Sequence, residues 1–386
     1  MNLFSPLPDP KPDPIFSVLE MAKAAGSQAI NATAGVFIDE RGKTVLYPSV
    51  RKALETVAAK LTSTSFNYPS LLGLSEFREA ITPLLFGGER VPHASIATTG
   101  GTGAVAVNMR LLLLIHPAMQ LILPTPTWPT HRTLATGARL PLIEVPHIRD
   151  GKACPDGILE AIERTSGPRA VLLQTGCHNP TGLDFTTEHW KTLASVLAKE
   201  NVIGLLDTAY QGFGAEPEKD MEPLRICREA GMTVLQCWSA AKNHSLYSER
   251  AGLAFAVTEN DAQTRKIEGL YGMITRTMHS ATATFGQYVV AETQRSHHDE
   301  WLRDIAHVRE TLTRKRTALK RALPPSFSSS LDGNGMFAVL PLSPEQIRRL
   351  REEHKVFLTN DARMNIAGIP LDRMDDLKKA VEAVST

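Results

Sequence analysis

The sequence lacks several features that would narrow its class at once. Only 4 of its 386 residues are cysteine, and they show neither zinc-site spacing nor a disulfide pattern. With 42 basic and 41 acidic residues, neither charge is in excess, so we expect neither nucleic acid nor an anionic membrane as a partner. The cysteines are expected to be reduced, buried thiols of a cytoplasmic protein, namely Cys154, Cys177, Cys227 and Cys237.

Long apolar runs are missing as well. The longest purely aliphatic run covers residues 111–115, far short of the roughly 20 apolar residues that cross a bilayer. The N-terminal segment is rich in proline and aspartate, so we expect no signal peptide there. The histidines form no metal-binding motif, and no metal is expected. What is present, 42% hydrophobic and 22% charged residues, is typical of a globular enzyme whose length predicts two domains.

The order of β-rich runs and helix-period segments predicts an α/β fold class. Between about residues 91 and 257 the two kinds of segment alternate, which is typical of a mostly parallel sheet covered by helices on both faces. From about residue 299 the pattern changes to a long charged helix, a short strand and two further helices. The runs that predict strands in the first region are residues 120–123, 142–145, 170–174, 202–207, 233–238 and 252–257.

Two of these predicted strands end in residues suited to chemistry. One ends at Asp207 with Tyr210 shortly after it, and the other delivers Ser239, Lys242 and Arg250 into a loop. Ligands of open α/β sheets lie beyond the carboxyl ends of the strands. There, a carboxylate keeps a heteroaromatic nitrogen protonated, and a desolvated lysine attacks carbonyl carbons. Taken singly, a solvated surface lysine and a helix-capping aspartate are the more ordinary interpretations.

Two further segments favour the chemical interpretation. Residues 100–103 read GGTG before an apolar helix, a helix start whose N–H groups suit a phosphate. Together with Ser239 and Arg250, this start predicts a phosphate cup. The motif HNPTG follows another predicted strand and brings the Asn179 amide to the same sheet edge as Asp207.

With these motifs, the sequence resembles the class I, fold-type I aminotransferases that depend on pyridoxal phosphate (PLP), in their aspartate and aromatic amino-acid branch. HNPTG, DTAYQGF, SxxKNxxLYxER and RxNxAG occur in order at the family's spacing, and the likeness runs from PDPIFSV to ARMNIAG. The resemblance implies a large domain with a mostly parallel, seven-stranded-type sheet and a smaller α+β domain. The implied boundaries are an N-terminal arm at residues 1–12, a small domain at 13–44 and 310–386, and a large PLP-binding domain at 45–309.

For the cofactor, the resemblance implies a role for each matching residue. Lys242 holds PLP as a Schiff base and moves the proton in catalysis, and Asp207 pairs with the pyridinium nitrogen so that the ring accepts electrons. Tyr210 and Asn179 hydrogen-bond the phenolate oxygen, and Trp128 stacks on the ring. The implied phosphate ligands are Gly101, Thr102, Ser239, Arg250 and, across a dimer interface, Tyr68.

For the substrate, the resemblance implies that Arg363 clamps the α-carboxylate through two parallel hydrogen bonds, a task suited to guanidinium geometry. Gly35 leaves backbone room, and Trp128 and Asn179 also border the substrate. Arg276, supplied by the second subunit of a homodimer, is implied to bind a distal carboxylate. The remaining implied neighbours are His131, beside Asp207, and Ser280, which lies near the phosphate of the other subunit.

Four positions depart from the family pattern near the expected substrate pocket. Ile38 stands where aspartate enzymes tend to have a lysine, and Ala281 begins an Ala-Thr-Ala stretch where they tend to have Asn-Pro-Pro. Gln174 replaces a frequent histidine, and Ala241 replaces the usual serine before the lysine. These changes make the mouth of the site more apolar without touching the cofactor chemistry. We therefore expect aromatic donors to be accepted at least as well as aspartate.

The expected activity is ping-pong transamination between an L-amino acid, aromatic or aspartate, and a 2-oxo acid such as 2-oxoglutarate, by way of pyridoxamine phosphate. The resemblance implies a homodimer with shared active sites. A PLP-dependent lyase or decarboxylase on the same fold shares Lys242 and Asp207 and stays an alternative, although Arg363 together with Arg276 favours transamination. A non-enzymatic PLP-binding regulator is disfavoured because no basic helix-turn-helix stretch precedes the domain.

Overall fold

A computed structural model describes residues 14–39, 42–61 and 67–385, so the predicted arm at residues 1–12 lies outside the described residues. The strands, in chain order, are β1 Ile30–Asn31, β2 His93–Thr99, β3 Gln120–Thr125, β4 Leu142–Pro146, β5 Ile148–Arg149, β6 Lys152–Ala153, β7 Arg169–Gln174, β8 Ile203–Thr208, β9 Val234–Ser239, β10 Ala251–Val257, β11 Phe337–Val339, β12 Val356–Phe357 and β13 Arg363–Asn365.

Helices separate most of these strands, and short 3-10 turns occur mainly towards the C-terminus. The α-helices, in chain order, are α1 Pro14–Ala24, α2 Pro48–Leu61, α3 Ser75–Phe86, α4 Gly100–Ile115, α5 Pro129–Ala138, α6 Asp156–Arg164, α7 Thr187–Lys199, α8 Glu222–Glu229, α9 Ala240–Asn243, α10 Asp261–Met278, α11 Phe285–Ser296, α12 His298–Ala322, α13 Pro344–His354 and α14 Met374–Ser385.

The central feature is a seven-stranded sheet in the order β2-β10-β9-β8-β7-β3-β4. Strand β10 runs antiparallel to both of its neighbours, and the pairs from β9 to β4 are parallel. The predicted α/β class with a mostly parallel sheet is confirmed, and each of the six predicted runs forms a strand within two residues of its predicted ends. Strand β2 was not among the predicted runs, because its sequence HASIATT contains a single large apolar residue, Ile96.

The sheet is buried on both faces, as its apolar strands require. Along β7, Ala170 and Leu172 belong to one hydrophobic cluster, and Val171 and Leu173 belong to another on the opposite face. Of the four cysteines, three are buried in this chain as expected. Cys154 is instead partly exposed, because it lies in the turn region after β6.

A separate hydrophobic cluster forms away from the sheet. It joins Ile30 and Ala32 near β1 to residues between Leu319 and Val384, and two small sheets, β1-β12 and β11-β13, accompany it. We propose that this cluster is the core of the predicted small domain. The boundaries at residues 44 and 310 stay a prediction.

The strand ends that carry the candidate site residues lie at one edge of the sheet. The carboxyl ends of β7, β8 and β9 lie there because these strands are parallel. Arg250 reaches the same edge by a different route, since it immediately precedes the antiparallel strand β10. Within the ranges that the structure describes, none of the helices is both long and apolar enough to span a membrane.

Candidate active site

A single cavity at this sheet edge brings most of the predicted site residues together. It also receives residues from the region around β11 and β13, so the sheet and the smaller cluster both contribute to its wall. The predicted residues that line it are Gly35, Gly101, Thr102, Trp128, Asn179, Asp207, Tyr210, Ser239, Lys242, Arg250 and Arg363.

Lys242 lies in the short helix α9, directly after β9, and its side chain borders the cavity. Desolvation by the surrounding protein lowers the pKa of its amine to about 8; Asp207 opposes this shift, whereas Arg250 and Arg363 add to it. The amine nitrogen lies 5.3 Å from the centroid of the Tyr210 ring. The neutral, nucleophilic amine is therefore far more populated near neutral pH than on a solvated lysine.

Asp207, in β8, is held by a chain of hydrogen bonds. Its Oδ2 lies 3.0 Å from Nε2 of His131, and Nδ1 of that imidazole lies 2.8 Å from Oγ1 of Thr127. His131 is fully buried, and Trp128 meets its ring edge-on with 5.2 Å between the ring centroids. The carboxylate is thus fixed in direction, as is needed to receive a proton-bearing nitrogen from the cavity.

The start of α4 forms a cup suited to a phosphate-like anion. This helix has 16 residues, and its first turn presents backbone N–H groups together with the positive end of the helix dipole. Gly100 adopts a φ of +65°, and a Cβ there would lie 2.8 Å from Nη2 of Arg250. A Cβ on Gly101 would lie 3.1 Å from Cβ of Ser239. Glycines therefore leave open a corner bordered by a hydroxyl and a guanidinium group.

Arg363, in β13, stands on the other side of the cavity. Its Nη1 donates to Oδ1 of Asn179 at 3.2 Å, and its Nη2 donates to the carbonyl of Thr33 at 2.9 Å. The guanidinium carbon lies 4.6 Å from the centroid of the Phe337 ring. Nδ2 of Asn179 donates in turn to the Tyr210 hydroxyl at 3.2 Å. A buried cation with planar donors next to a cavity suits a carboxylate ligand.

Burial affects the ionisation of Arg363 and Tyr210, the two residues that Asn179 connects. It lowers the pKa of the Arg363 guanidinium, with smaller opposing effects from Tyr210 and Asp361. It raises the pKa of the Tyr210 phenol, against which Arg363 and the hydrogen bond from Asn179 act. In the described chain Nε of Arg363 has no hydrogen-bond partner. Tyr210 is therefore a neutral hydrogen-bonding group at ordinary pH.

Sequence reasoning missed several residues of the site. Phe337, Ile15 and Ala209 line the cavity, and the Tyr47 hydroxyl donates to the carbonyl of Lys242 at 2.9 Å. The indole of Trp301 donates to the next carbonyl, that of Asn243, at 2.6 Å. Residues 335–342, GMFAVLPL, form the short strand segment that the sequence predicted and include Phe337. Nothing in this segment indicated that Phe337 would contact an arginine. Tyr47 and Trp301, which hydrogen-bond the backbone at Lys242 and Asn243, come from distant parts of the chain, so no local sequence pattern indicates these contacts.

Three predicted residues do not reach the cavity of their own chain. The Tyr68 side chain is 99% exposed, and Arg276 is exposed near the end of α10. Nη1 of Arg276 donates to the Ser280 hydroxyl at 3.0 Å. These positions agree with residues that act on a neighbouring subunit, which stays a prediction for this chain.

The four departures from the family pattern divide into two pairs. Gln174 and Ala241 line the cavity. Ile38 instead pairs with Thr44 in an isolated β-bridge, and neither it nor Ala281 belongs to the described lining of the same chain's cavity. The prediction that Ile38 and Ala281 make the mouth apolar is therefore untested within one chain.

Comparison with known proteins decides the family. The model of the family "Aminotransferase class I and II" matches residues 27–383. The chain belongs to this aminotransferase family. It is 31% identical to the mitochondrial aspartate aminotransferase of Gallus gallus, with 97% of this chain and 92% of that protein covered. It is 30% identical to the aromatic-amino-acid aminotransferase of Paracoccus denitrificans, with 96% of each covered.

The fold of this aminotransferase also matches solved structures. The crystal structure of an aromatic-amino-acid aminotransferase from Burkholderia pseudomallei, described as covalently bound to pyridoxal phosphate, gives a TM-score of 0.95. It is 27% identical in sequence, and all of both chains is covered. The predicted family, the aspartate and aromatic branch and the fold type are confirmed. The cytoplasmic location stays a prediction, since one matching relative is named as mitochondrial.

Proposed function

We propose that this aminotransferase binds PLP on Lys242 and transfers the amino group of an aromatic or dicarboxylic L-amino acid to a 2-oxo acid such as 2-oxoglutarate. The observation that carries the proposal is the shared cavity. An amine with a lowered pKa, a fixed carboxylate, an anion cup and a buried guanidinium all border it. These are the four contacts that a phosphorylated pyridine aldehyde and an amino-acid carboxylate require together.

The residues present fit the cofactor. The corner that Gly100 and Gly101 leave open would be closed by any Cβ, and Arg250 and Ser239 border it with the charge and hydroxyl that a phosphate needs. Asp207 is directed by His131 through one oxygen, so its other oxygen is available to a ring nitrogen. When bound, PLP supplies an aldehyde that takes up the amino group and a ring that accepts electrons.

The side chains around the cofactor would each have a separate role. Lys242 would hold the cofactor and would take a proton from the substrate Cα and return one, a role that suits an amine with a pKa of about 8. Asp207 would keep the ring nitrogen protonated by its negative charge. The Tyr210 hydroxyl and the Asn179 amide would hydrogen-bond the ring oxygen, and the Trp128 indole, which also borders the cavity, would contact the ring.

Substrate binding uses the opposite wall. Arg363 binds the α-carboxylate through two guanidinium N–H groups, and its stacking on Phe337 and its bond to Asn179 hold the planar fork in place. Gly35 leaves space beside this wall of the cavity, since a Cβ there would lie 3.3 Å from the Phe337 ring. The substrate Cα would then lie between Arg363 and the Lys242 amine, which border the same cavity.

The proposal includes a homodimer in which each cavity is completed by the other chain. Tyr68 would reach the phosphate, Arg276 the distal carboxylate, and Ser280 the region of the phosphate. The exposure of Tyr68 and Arg276 on the single chain supports this arrangement. The apolar Ile38 and Ala281 would enter the substrate pocket in the same way, which favours aromatic side chains.

The direct test is transfer of isotopically labelled nitrogen. The purified protein, loaded with PLP, is incubated with ¹⁵N-phenylalanine or ¹⁵N-aspartate and 2-oxoglutarate. The label is expected in glutamate, with the matching 2-oxo acid as the other product. Release of carbon dioxide or ammonia in place of labelled glutamate would identify a decarboxylase or lyase and contradict the proposal. Lys242→Ala is the control that should transfer nothing.

A further inference from the structure

Gln174, the last residue of β7, connects two halves of the site that were described separately. Its Oε1 accepts the backbone N–H of Asn179 at 2.9 Å, and its Nε2 donates to the carbonyl of the same residue at 2.9 Å. The same Nε2 lies 3.3 Å from Oγ1 of Thr127. One carboxamide therefore holds both sides of Asn179 and reaches the hydrogen-bond chain behind Asp207.

The orientation of this carboxamide is fixed by its partners. The Asn179 N–H can only be accepted by the oxygen, and the Asn179 carbonyl can only accept from the nitrogen. Because Nε2 has two hydrogens, its second one is directed to the Thr127 hydroxyl. The Thr127 oxygen thus already accepts one hydrogen bond, and its own hydrogen is available to Nδ1 of His131, 2.8 Å away.

This ordering agrees with the tautomer of His131 that Asp207 requires, because a carboxylate oxygen can only accept a hydrogen bond. An imidazole whose Nδ1 accepts from Thr127 carries its proton on Nε2, and Nε2 faces Oδ2 of Asp207 at 3.0 Å. The backbone of Asn179 thus orients the Gln174 carboxamide, and Asp207 orients His131, so that the Thr127 hydroxyl between them accepts from Gln174 and donates to His131. The side chain of Asn179 meanwhile bonds Arg363 and Tyr210.

We propose that Gln174 is a positioning residue that orients the Thr127 hydroxyl toward Nδ1 of His131, behind Asp207, and at the same time holds Asn179 beside Arg363. It does so through hydrogen bonds alone, because a carboxamide carries no charge at any ordinary pH. The charged and titratable groups around this assembly are Asp207, Lys242, Arg250, Arg363, Tyr210 and His178. The catalytic consequence rests on the proposed function, whereas the hydrogen-bond arrangement does not.

The first test is therefore ¹⁵N NMR of the histidine side chains in the purified full-length protein, with the His131 signals assigned by His131→Gln. We expect Nδ1 to resonate as a hydrogen-bonded, proton-free nitrogen and Nε2 as a protonated one. Gln174→Met, similar in length but unable to hydrogen-bond, should shift the Nδ1 signal. Thr127→Val, which removes only the hydroxyl, should shift it in the direction of a nitrogen without a donor. A proton on Nδ1 in the unaltered protein, or an unchanged Nδ1 signal in Gln174→Met, would overturn the proposal.

The second test uses the bound cofactor. Gln174→Met is expected to move the pH midpoint of its absorbance and to lower kcat/KM about tenfold, as the loss of hydrogen bonds to a site residue does. Gln236→Met is the matched control, since this buried carboxamide donates to Thr208 and should leave the midpoint unchanged. If the unaltered protein shows no cofactor absorbance, the proposed function fails while the NMR result stands. If it does show absorbance and Gln174→Met leaves midpoint and kcat/KM unaltered, the inference alone fails.

If both Gln174→Met and a milder Gln174→Asn variant are insoluble, Thr127→Val decides the question. That change keeps the contact of Gln174 with Asn179 and removes only the connection to His131. Its Nδ1 signal must then shift while KM for the amino donor stays close to that of the unaltered protein. A normal Nδ1 signal in Thr127→Val would contradict the proposal.

Discussion

The floor of the cavity and its rim are built in different ways. On the floor, Asp207 and Ser239 lie at the carboxyl ends of the neighbouring parallel strands β8 and β9, and Lys242 follows β9. The register of the sheet therefore places them, and partners in the same chain hold Asp207 and the backbone of Lys242. On the rim, Tyr68 and Arg276 are exposed and far less constrained. In the proposed arrangement, most cofactor contacts therefore come from one chain, and a second chain would add Tyr68 near the phosphate and Arg276 for the distal carboxylate of the substrate.

The largest expected effect comes from the floor. Asp207→Ala removes the charge that keeps the ring nitrogen protonated, and we expect kcat to fall by about 10³-fold or more, because electrostatic groups of this kind contribute several kcal/mol. Cofactor binding should stay measurable, since the anion cup is unaltered. Steady-state kinetics and an absorbance titration with PLP measure the two effects separately.

Asp207→Asn is the matched variant for this prediction. It keeps the size of the side chain and an oxygen for His131 but removes the charge. A loss as large as that of Asp207→Ala would assign the effect to charge. Near-normal turnover in either variant would mean that another group holds the ring nitrogen.

Mixing two defective chains, with aspartate as the assayed donor, tests the comparison between floor and rim. One chain carries Lys242→Ala, and the other carries Tyr68→Phe together with Arg276→Leu. If the rim residues serve the neighbouring cavity, a heterodimer has one cavity with both defects and one with neither, and part of the activity should return. Native mass spectrometry establishes subunit exchange. Subunit exchange without recovered activity would mean that Tyr68 and Arg276 act on the cavity of their own chain.

A smaller effect is expected on substrate preference. Arg276→Leu should lower kcat/KM for aspartate about 10- to 100-fold, the contribution of charge-assisted hydrogen bonds to a carboxylate, and should change phenylalanine much less. In the unaltered enzyme, an apolar wall contributes roughly 25 cal/mol per Å² of buried surface, so phenylalanine should equal or exceed aspartate in kcat/KM. A ratio well below one would contradict the apolar-pocket argument based on Ile38 and Ala281.

The sequence predicts the residues at the strand ends of the site, but not the contacts between segments that are distant in the chain. The strand ends at Asp207 and Ser239 could be predicted, because a run of apolar residues that stops at a polar one marks the edge of a buried sheet. The role of Phe337 could not, because its contact with Arg363 depends on how the region of β11 and β13 packs against the large sheet. The hydrogen bonds of Gln174 could not be predicted either, since each depends on atoms placed by separate loops.

The central claim is that Lys242 is the lysine that carries the cofactor. Reduction with borohydride after addition of PLP, followed by peptide mapping, tests it most directly. Desolvation lowers the pKa of this amine to about 8 from an ordinary value of 10.5, so the reactive neutral form increases as the pH rises through 8. Covalent labelling of the apo-protein should accelerate over that interval and then level off, well below the pH at which ordinary lysines react. We expect the reduced phosphopyridoxyl group on the peptide that contains Lys242 and none on Lys242→Ala. Stoichiometric labelling of any other lysine would contradict the account.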